Sequence, residues 1–205
     1  MKIWAIAILS MALFYGCGGE PPTADLEAAN RALQDARAAG AEKFASSELN
    51  SAQGAYDSAQ KELNTEKEKL FKNFEKTNTM IADAKGKADR AKSAAASAKS
   101  KAKGAAESVI GDAAAAVQRA QVSLDGAPSG KGTEGDIEQL RADLGAANAD
   151  LSSARSSVAS ESFDAAKSSA ASAAKKAAAI EEGVAMATQK YAEMVEKMRP
   201  WYKRM

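Results

Sequence analysis

The most regular feature of the sequence is a seven-residue spacing of apolar positions along two long stretches of the chain. In the first stretch, one row begins with large side chains and continues through small ones: Leu49, Tyr56, Leu63, Leu70, Thr77, Ala84, Ala91, Ala98 and Ala105. A companion row lies three or four residues away: Phe74, Ile81, Ala88, Ala95, Ala102 and Val109. Rows with this spacing share one helix face that packs along another helix. The pattern predicts a single helix from Ser47 to about Val109, about 90 Å long.

The same spacing restarts in the second half of the chain. One predicted helix carries Ile137, Leu144, Leu151 and Val158, with Leu140, Ala147 and Ala154 beside them. The last helix carries Phe163, Ala170, Ala177, Val184, Tyr191 and Met198, with Ala166, Ala173, Ile180, Ala187 and Met194 alongside. Ser160 lies just before this last helix and is predicted to cap its N-terminus.

A shorter helix precedes the long one. Its apolar positions fall on one face: Leu26, Ala29, Leu33 and Ala36. Thr23 is a suitable N-cap, and Gly40 is a suitable stop before the next helix begins at Ser46-Ser47. These elements predict an all-α fold of elongated antiparallel helical hairpins, which is a coiled-coil-like bundle with alanine-rich seams.

The domain boundaries follow from the linkers. Residues 126–135 are rich in glycine and form the clearest linker in the chain. The first helical hairpin, with the long helix, is therefore predicted at 23–125. The second hairpin is predicted at 136–205 and ends in an aromatic and basic tail.

The two halves also share sequence. The segment Ala24–Asn30 matches Ala142–Asn148 at six of seven positions, and Leu33, Ala36 and Arg37 match Leu151, Ala154 and Arg155 at the same offset. Alanine matches arise easily by chance in such a chain, but the Asp-Leu, Asn and Arg matches do not. The comparison predicts that the hairpin is duplicated.

Composition narrows the function. Lys and Arg total 28 against 27 Asp and Glu, so the net charge of +1 argues against a nucleic-acid binder. The absence of His removes Ser-His and Cys-His catalytic pairs and most zinc sites. Ser-x-x-Lys occurs at Ser58, Ser100 and Ser172, which is about the chance frequency for a chain rich in both residues. We therefore predict a protein that is not an enzyme and has no metal site.

The N-terminus carries a targeting signal. Lys2 precedes an apolar run, Ile3–Tyr15, which is shorter than the about 20 residues of a spanning helix and fits the core of a secretory signal. The sequence Gly16-Cys17-Gly18-Gly19 follows, and Cys17 is the only cysteine. This arrangement resembles a bacterial lipoprotein signal, in which a small residue precedes a cysteine that becomes lipid-modified and N-terminal.

The resemblance implies a signal peptide at 1–16, lipid attachment at Cys17 and a membrane-proximal linker at 17–22. Covalent lipid on Cys17 is then the only non-protein group, and no other cofactor is expected. Phe14 and Tyr15 are larger than the family's usual residues next to the cut, so an ordinary signal peptide stays open. Gly18 after the cysteine resembles the outer-membrane sorting class, which implies an outer-membrane lipoprotein facing the periplasm of the cell envelope.

Residues 23–100 resemble an alanine-rich lipoprotein domain of bacterial envelopes whose function is unknown. The resemblance is carried by Ala24–Ala29, Ala39–Ala45, Glu48-Leu49 and the spaced Ala52, Tyr56, Ala59 and Leu63. In that family a short helix folds back on a longer one across a glycine-containing turn. Where the family commonly has Ala-Pro before Glu-Leu, this chain has Ser46-Ser47. The resemblance implies no activity.

Two charged segments are candidate contacts. The C-terminal cluster Trp201, Tyr202, Lys203 and Arg204 suits a partner groove or a membrane interface, and a tail folded over the end of the bundle is the alternative. It also resembles the end of the major envelope lipoprotein, which is joined to peptidoglycan through a terminal Lys, but Lys203 is not terminal. A basic stretch between Lys85 and Lys103 fits either a solvated helix face or a contact with envelope polyanions.

The sequence thus predicts a lipid-anchored structural or scaffolding protein of the cell envelope. Its expected partners are the membrane, a second copy or an envelope protein, and peptidoglycan, with no nucleic acid. One alternative is an accessory subunit that binds through the Leu49–Phe74 stripe or the Trp201 tail. Another is a helical stress protectant that is disordered until dried.

Overall fold

A computed structural model describes residues 20–130 and 132–199, and all the regular elements in these ranges are α-helices. The helices are α1 (Thr23–Ala38), α2 (Ala41–Phe44), α3 (Ser46–Glu68), α4 (Glu75–Asp125), α5 (Glu134–Ala159) and α6 (Phe163–Met198). The predicted all-α class is confirmed. Within the described ranges, no helix combines the length and the apolar character that crossing a membrane requires.

The chain divides into two compact units, Met1–Lys99 and Ser100–Met205. The division lies inside α4, whereas the sequence places the domain boundary at the glycine-rich segment 126–135. That segment does connect two helices, because α4 ends at Asp125 and α5 begins at Glu134. One helix, α4, therefore supplies its first part to unit 1 and its second part to unit 2.

Unit 1 consists of α1, α2, α3 and residues 75–99 of α4. Alanines of all three long helices meet in its core, and Leu33 and Leu49 add the larger side chains. A second cluster joins Ala29, Ala59 and Ile81. Two ion pairs tie α4 to its neighbours, since Lys92 Nζ lies 2.9 Å from Asp35 Oδ2 and Lys76 Nζ lies 2.9 Å from Glu62 Oε1.

The turn between α1 and α3 depends on Gly40. Its φ of +87° lies in the left-handed region, where a side chain is strained, and the N–H groups of Lys43 and Phe44 donate to its carbonyl oxygen. The predicted stop at Gly40 and the predicted start of α3 at Ser46 are therefore confirmed. At the other end of α1, Pro22 rather than Thr23 is the capping residue.

Unit 2 consists of residues 100–125 of α4 together with α5 and α6. Asp150 of α5 accepts hydrogen bonds from Ser172 Oγ (2.7 Å) and Lys176 Nζ (2.8 Å) of α6. These two donors hold the pKa of Asp150 below its usual value. Lys190 pairs with Asp136 at 2.8 Å further along the same helices, so charged pairs join α5 and α6 at both places.

The apolar rows of α6 are confirmed as far as Ala187, since Phe163 and every predicted seam position to Ala187 are buried. Tyr191 and Met194 are half-buried, whereas Met198 is exposed, so the seam ends before the helix does. Ser160 does not cap α6. Its hydroxyl donates to the Ser157 carbonyl of α5, and Ser162 occupies the cap position.

The predicted single helix from Ser47 to Val109 is wrong. It is interrupted between Glu68 and Glu75, and Leu70, which the heptad pattern places in the seam, is 91% exposed. Phe74 is buried and resumes the seam at the start of α4.

The seam also changes phase within α4. The predicted positions are buried from Phe74 to Ala95, but Ala105 is exposed and the buried positions become Ala106 and Ile110. A straight helix drifts by about 20° per heptad, and one step of eleven residues reverses the drift of a single heptad. The step from Ala95 to Ala106 does so at the division between the two units.

Candidate interaction site

The most exposed apolar residues with a described environment are neighbours in the loop between α3 and α4. Leu70 is 91% exposed and Phe71 is 87% exposed. Single exposed apolar residues are common on protein surfaces, but two adjacent large ones concentrate exposed apolar surface in one loop. We call Leu70 and Phe71 the apolar tip.

Glu66 organises the loop that carries the apolar tip. Glu66 is buried, although the other charged residues of α3 are mostly exposed. Its carboxylate accepts hydrogen bonds from Lys69 Nζ (2.5 Å) and from the backbone N–H of Asn73 (3.4 Å). One side chain therefore bridges the two ends of the loop. The Lys69 ammonium group holds the pKa of Glu66 below its usual value, and the carboxylate in turn raises the pKa of Lys69.

The far side of the loop is fixed by the start of α4. The Asn73 side-chain oxygen accepts a hydrogen bond from the Glu75 N–H at 2.9 Å, which satisfies a donor that the helix itself leaves unpaired. Phe74 is only 5% exposed and turns inwards. Because Glu66 and Phe74 hold the two ends, Leu70 and Phe71 are left pointing away from the core of unit 1.

Charges around the apolar tip are balanced. Between positions 62 and 76 there are four glutamates and four lysines. Glu66 pairs with Lys69, and Glu62 pairs with Lys76. An open depression of about 560 Å³ lies against the loop, and Phe71 is the apolar side chain among its otherwise polar lining residues. The site thus offers an apolar surface within a neutral polar rim, with no strongly acidic or basic field.

The core of unit 1 uses most of the predicted Leu49–Phe74 stripe. Leu49, Leu63 and Phe74 are buried and Tyr56 is half-buried, whereas Leu70 is exposed. Of this stripe, Leu70 is the large apolar side chain that the structure leaves open to a partner.

The other predicted site residues lie outside the described residues. This applies to the signal peptide at 1–16, to Cys17 with the first part of its linker, and to Trp201, Tyr202, Lys203 and Arg204. The lipid attachment and the tail contact therefore stay predictions.

The basic stretch of α4 is accompanied by acidic partners. Lys85 pairs with Asp89, Lys87 with Asp83, Lys92 with Asp35 and Lys103 with Glu107. These exposed pairs each contribute little to stability. They reduce the positive field of the stretch, which favours the solvated helix face over a polyanion contact.

Two of the three serines in the Ser-x-x-Lys matches make ordinary structural contacts. Ser58 Oγ donates to the carbonyl of Gly54 one turn earlier, and Ser172 Oγ donates to Asp150. In residues 20–130 and 132–199, no group of three or more His, Cys, Asp or Glu side chains is placed to hold a metal ion.

Sequence reasoning missed the apolar tip because the heptad count runs through it. Two signals point to it in retrospect. Leu70 and Phe71 are adjacent, so a single helix face cannot bury both, and Asn73 two residues before Glu75 is a typical helix-start signal. Comparison with protein-family models, with curated proteins and with solved structures finds no match for this chain.

Proposed function

We propose that this chain is a lipid-anchored structural protein of the cell envelope, and that it acts through its helical surfaces rather than through chemistry. The observation that carries the proposal is the junction at Cys17, where an apolar run meets a short polar, proline-containing segment. An acyl anchor needs no further membrane span, because each buried CH₂ contributes about 0.8 kcal/mol.

The start of the folded part supports this proposal. Unit 1 begins its first helix at Thr23, only six residues after Cys17. The N–H of Thr23 donates to the carbonyl of Pro21 at 2.7 Å, and the N–H of Leu26 donates to that of Pro22. The prolines are therefore part of the helix start, and a lipid on Cys17 would hold unit 1 close to the membrane surface.

The experiment is [³H]palmitate labelling of the full chain, with membrane fractionation, in a bacterium that processes lipoproteins. The proposal expects label in the wild type, partition with the outer membrane and loss of both in Cys17→Ser. A wild type that takes up no label but is still exported would instead support the ordinary signal peptide, and the proposed anchor would be abandoned.

We also infer that the α1–α3 and α5–α6 pairs are two copies of one hairpin. Burial supports this in addition to the sequence match. The paired positions Ala29 and Ala147, Leu33 and Leu151, Ala36 and Ala154, and Ala52 and Ala166 are all buried. A protein built by repeating one helical packing unit is consistent with a scaffolding role.

The alternative function is an accessory subunit of an envelope complex. It is favoured by the aromatic and basic cluster at Trp201, Tyr202, Lys203 and Arg204, because such residues are enriched in binding hot spots. The alternative expects co-purification with one stoichiometric partner and loss of that partner in Trp201→Ala. Purification from solubilised membranes without a partner would argue against it.

A further inference from the structure

The apolar tip lies at the end of unit 1 where the chain enters. The cluster of Ala29, Ala59 and Ile81 marks one level along the three helices, and Leu26 packs against it. From this level, α3 runs nine residues further to Glu68, which is about 14 Å. Towards the same end, α1 begins six residues before Ala29, which is about 9 Å. The loop after α3 therefore extends beyond the start of α1.

The distance from this end to the anchor is short. Pro21 and Pro22 are bound to the first turn of α1, so only residues 18–20 separate them from Cys17. Four fully extended residue steps span at most about 14 Å. If Cys17 is lipidated, the membrane surface lies within this reach of the end of unit 1 that carries Leu70 and Phe71.

We propose that the apolar tip, Leu70 and Phe71, inserts into the lipid surface that holds Cys17 and forms a second membrane contact for unit 1. This inference rests on the lipid anchor proposed above. Two features of the tip fit a bilayer interface. The tip carries two large apolar side chains whose burial in lipid removes their surface from water, and lysines stand beside them whose stems can follow apolar surface while the charge stays in water.

The balanced rim defines which lipid property matters. Four lysines and four glutamates between positions 62 and 76 leave no net local charge to attract anionic headgroups. Insertion should therefore depend on the apolar side chains and should differ little between zwitterionic and anionic membranes. A contact driven by lysines would instead strengthen steeply with anionic lipid.

The buried Glu66 gives the contact a defined orientation. Because Glu66 bonds to Lys69 and to the Asn73 N–H, the loop is held at both ends, and the tip does not need to fold before it inserts. A fixed second contact near the anchor would set the direction of α1, α3 and the first half of α4 against the membrane. A single flexible anchor does not do this.

The test places a polarity-sensitive NBD label at the tip of the full chain. Cys17 is the only cysteine, and its sulfur is blocked when lipidated, so Phe71→Cys supplies the single free thiol. Glu42→Cys is the matched control, because Glu42 is also exposed but lies at the opposite end of α3, about 35 Å away. Both proteins are purified from membranes, labelled and reconstituted into vesicles of phosphatidylcholine alone or with phosphatidylglycerol.

We expect the label at position 71, but not at position 42, to shift its emission to the blue and to be quenched by spin-labelled lipids. The effect should be similar in both vesicle types. Equal, water-like emission at the two positions would overturn the proposal. The same emission is also measured in the native membranes before solubilisation. A blue shift at position 71 that occurs there but not in pure-lipid vesicles would also overturn the proposal, since it would assign the tip to a protein groove.

The two proposals fail in different ways. Loss of palmitate labelling at Cys17 removes the anchor whatever the emission at position 71. Normal labelling at Cys17 with water-like emission at position 71 removes only the second contact. Circular dichroism of the labelled proteins verifies that each variant keeps the helical fold.

Discussion

At the scale of single residues, Glu66 and Gly40 decide how unit 1 turns at its two ends. Glu66 draws the start and the finish of the α3–α4 loop together, and Gly40 supplies the left-handed backbone between α1 and α2. Neither residue lies in an apolar row. Their contributions depend on a carboxylate with its partners and on a backbone conformation, so each predicts a different kind of mutational effect.

The first prediction concerns pH. The folded state lowers the pKa of Glu66 below its ordinary 4.5, so folding favours the ionised form. The stability from this pair is complete above pH 4.5 and is lost as the pH falls through the lowered folded value. We expect Glu66→Gln to lower the melting temperature at neutral pH by a few degrees and to have little effect in acid. Glu68 lies two residues further along α3 and is exposed, so Glu68→Gln should leave the melting temperature unchanged at both pH values.

Thermal unfolding followed by circular dichroism across this pH range measures the effect. Equal melting temperatures for Glu66→Gln and the wild type at neutral pH would contradict the role assigned to Glu66.

The second prediction compares two glycines. Gly40→Ala forces a side chain into a φ of +87° and places its Cβ 3.3 Å from Phe44, so it should reduce the free energy of unfolding by about 1–2 kcal/mol. Gly54 is exposed inside α3 with open space around it, so Gly54→Ala should increase the free energy of unfolding by about 0.5–1 kcal/mol. Urea titration compares both variants with the wild type, and effects of the same sign would contradict the account.

At the scale of elements, the organising feature is the interruption between α3 and α4. It contains two phenylalanines three residues apart whose environments are opposite, since Phe71 is 87% exposed and Phe74 is 5% exposed. Substituting each phenylalanine in turn therefore tests which one belongs to the core.

The third prediction follows from this contrast. Phe74→Ala should destabilise unit 1 by about 3 kcal/mol, because it removes a buried ring and leaves a cavity. Phe71→Ala should change the free energy of unfolding by less than about 0.5 kcal/mol. Hydrogen exchange of the α3 amides reports on unit 1 alone, and it should accelerate strongly for Phe74→Ala and hardly at all for Phe71→Ala. The reverse order would place Phe71 in the core and remove the apolar tip.

Element by element, the sequence predicts what periodic side chains determine. Most buried positions of α5 and α6, the turn at Gly40 and the segment between Asp125 and Glu134 follow from spacing and turn residues. The interruption at Leu70 does not, because no proline or glycine marks it and the heptad count passes through it. The phase change at Ala106 could have been read from the sequence, because Ile110, Val117 and Leu124 are seven residues apart and all three are buried.

The apolar tip depends on that same interruption, so it was as hard to predict as the break itself. Cys17 was different, because targeting segments are recognised from local sequence without any fold.

At the scale of the whole molecule, the question is whether the chain is already helical in dilute buffer or becomes helical only when it binds a partner or is dried. Both units bury alanine-rich faces between helices that are distant in sequence. Such contacts between helices stabilise a folded state in water, whereas an isolated polar helix does not have them.

The fourth prediction is therefore a strongly helical circular dichroism spectrum in dilute buffer, with a cooperative thermal transition. The stress-protectant alternative predicts a mostly disordered chain that becomes helical only on drying or in alcohol. A coil spectrum in buffer would favour that alternative and would contradict the scaffold account.

The central claim is that Cys17 anchors this folded chain to the envelope, and the N-terminal mass of the protein purified from membranes tests it most directly. Trypsin cuts after Arg31, so the account predicts a peptide that begins at Cys17, ends at Arg31 and carries the mass of covalent acyl chains. An N-terminus at another residue, or a peptide with unmodified Cys17, would contradict it.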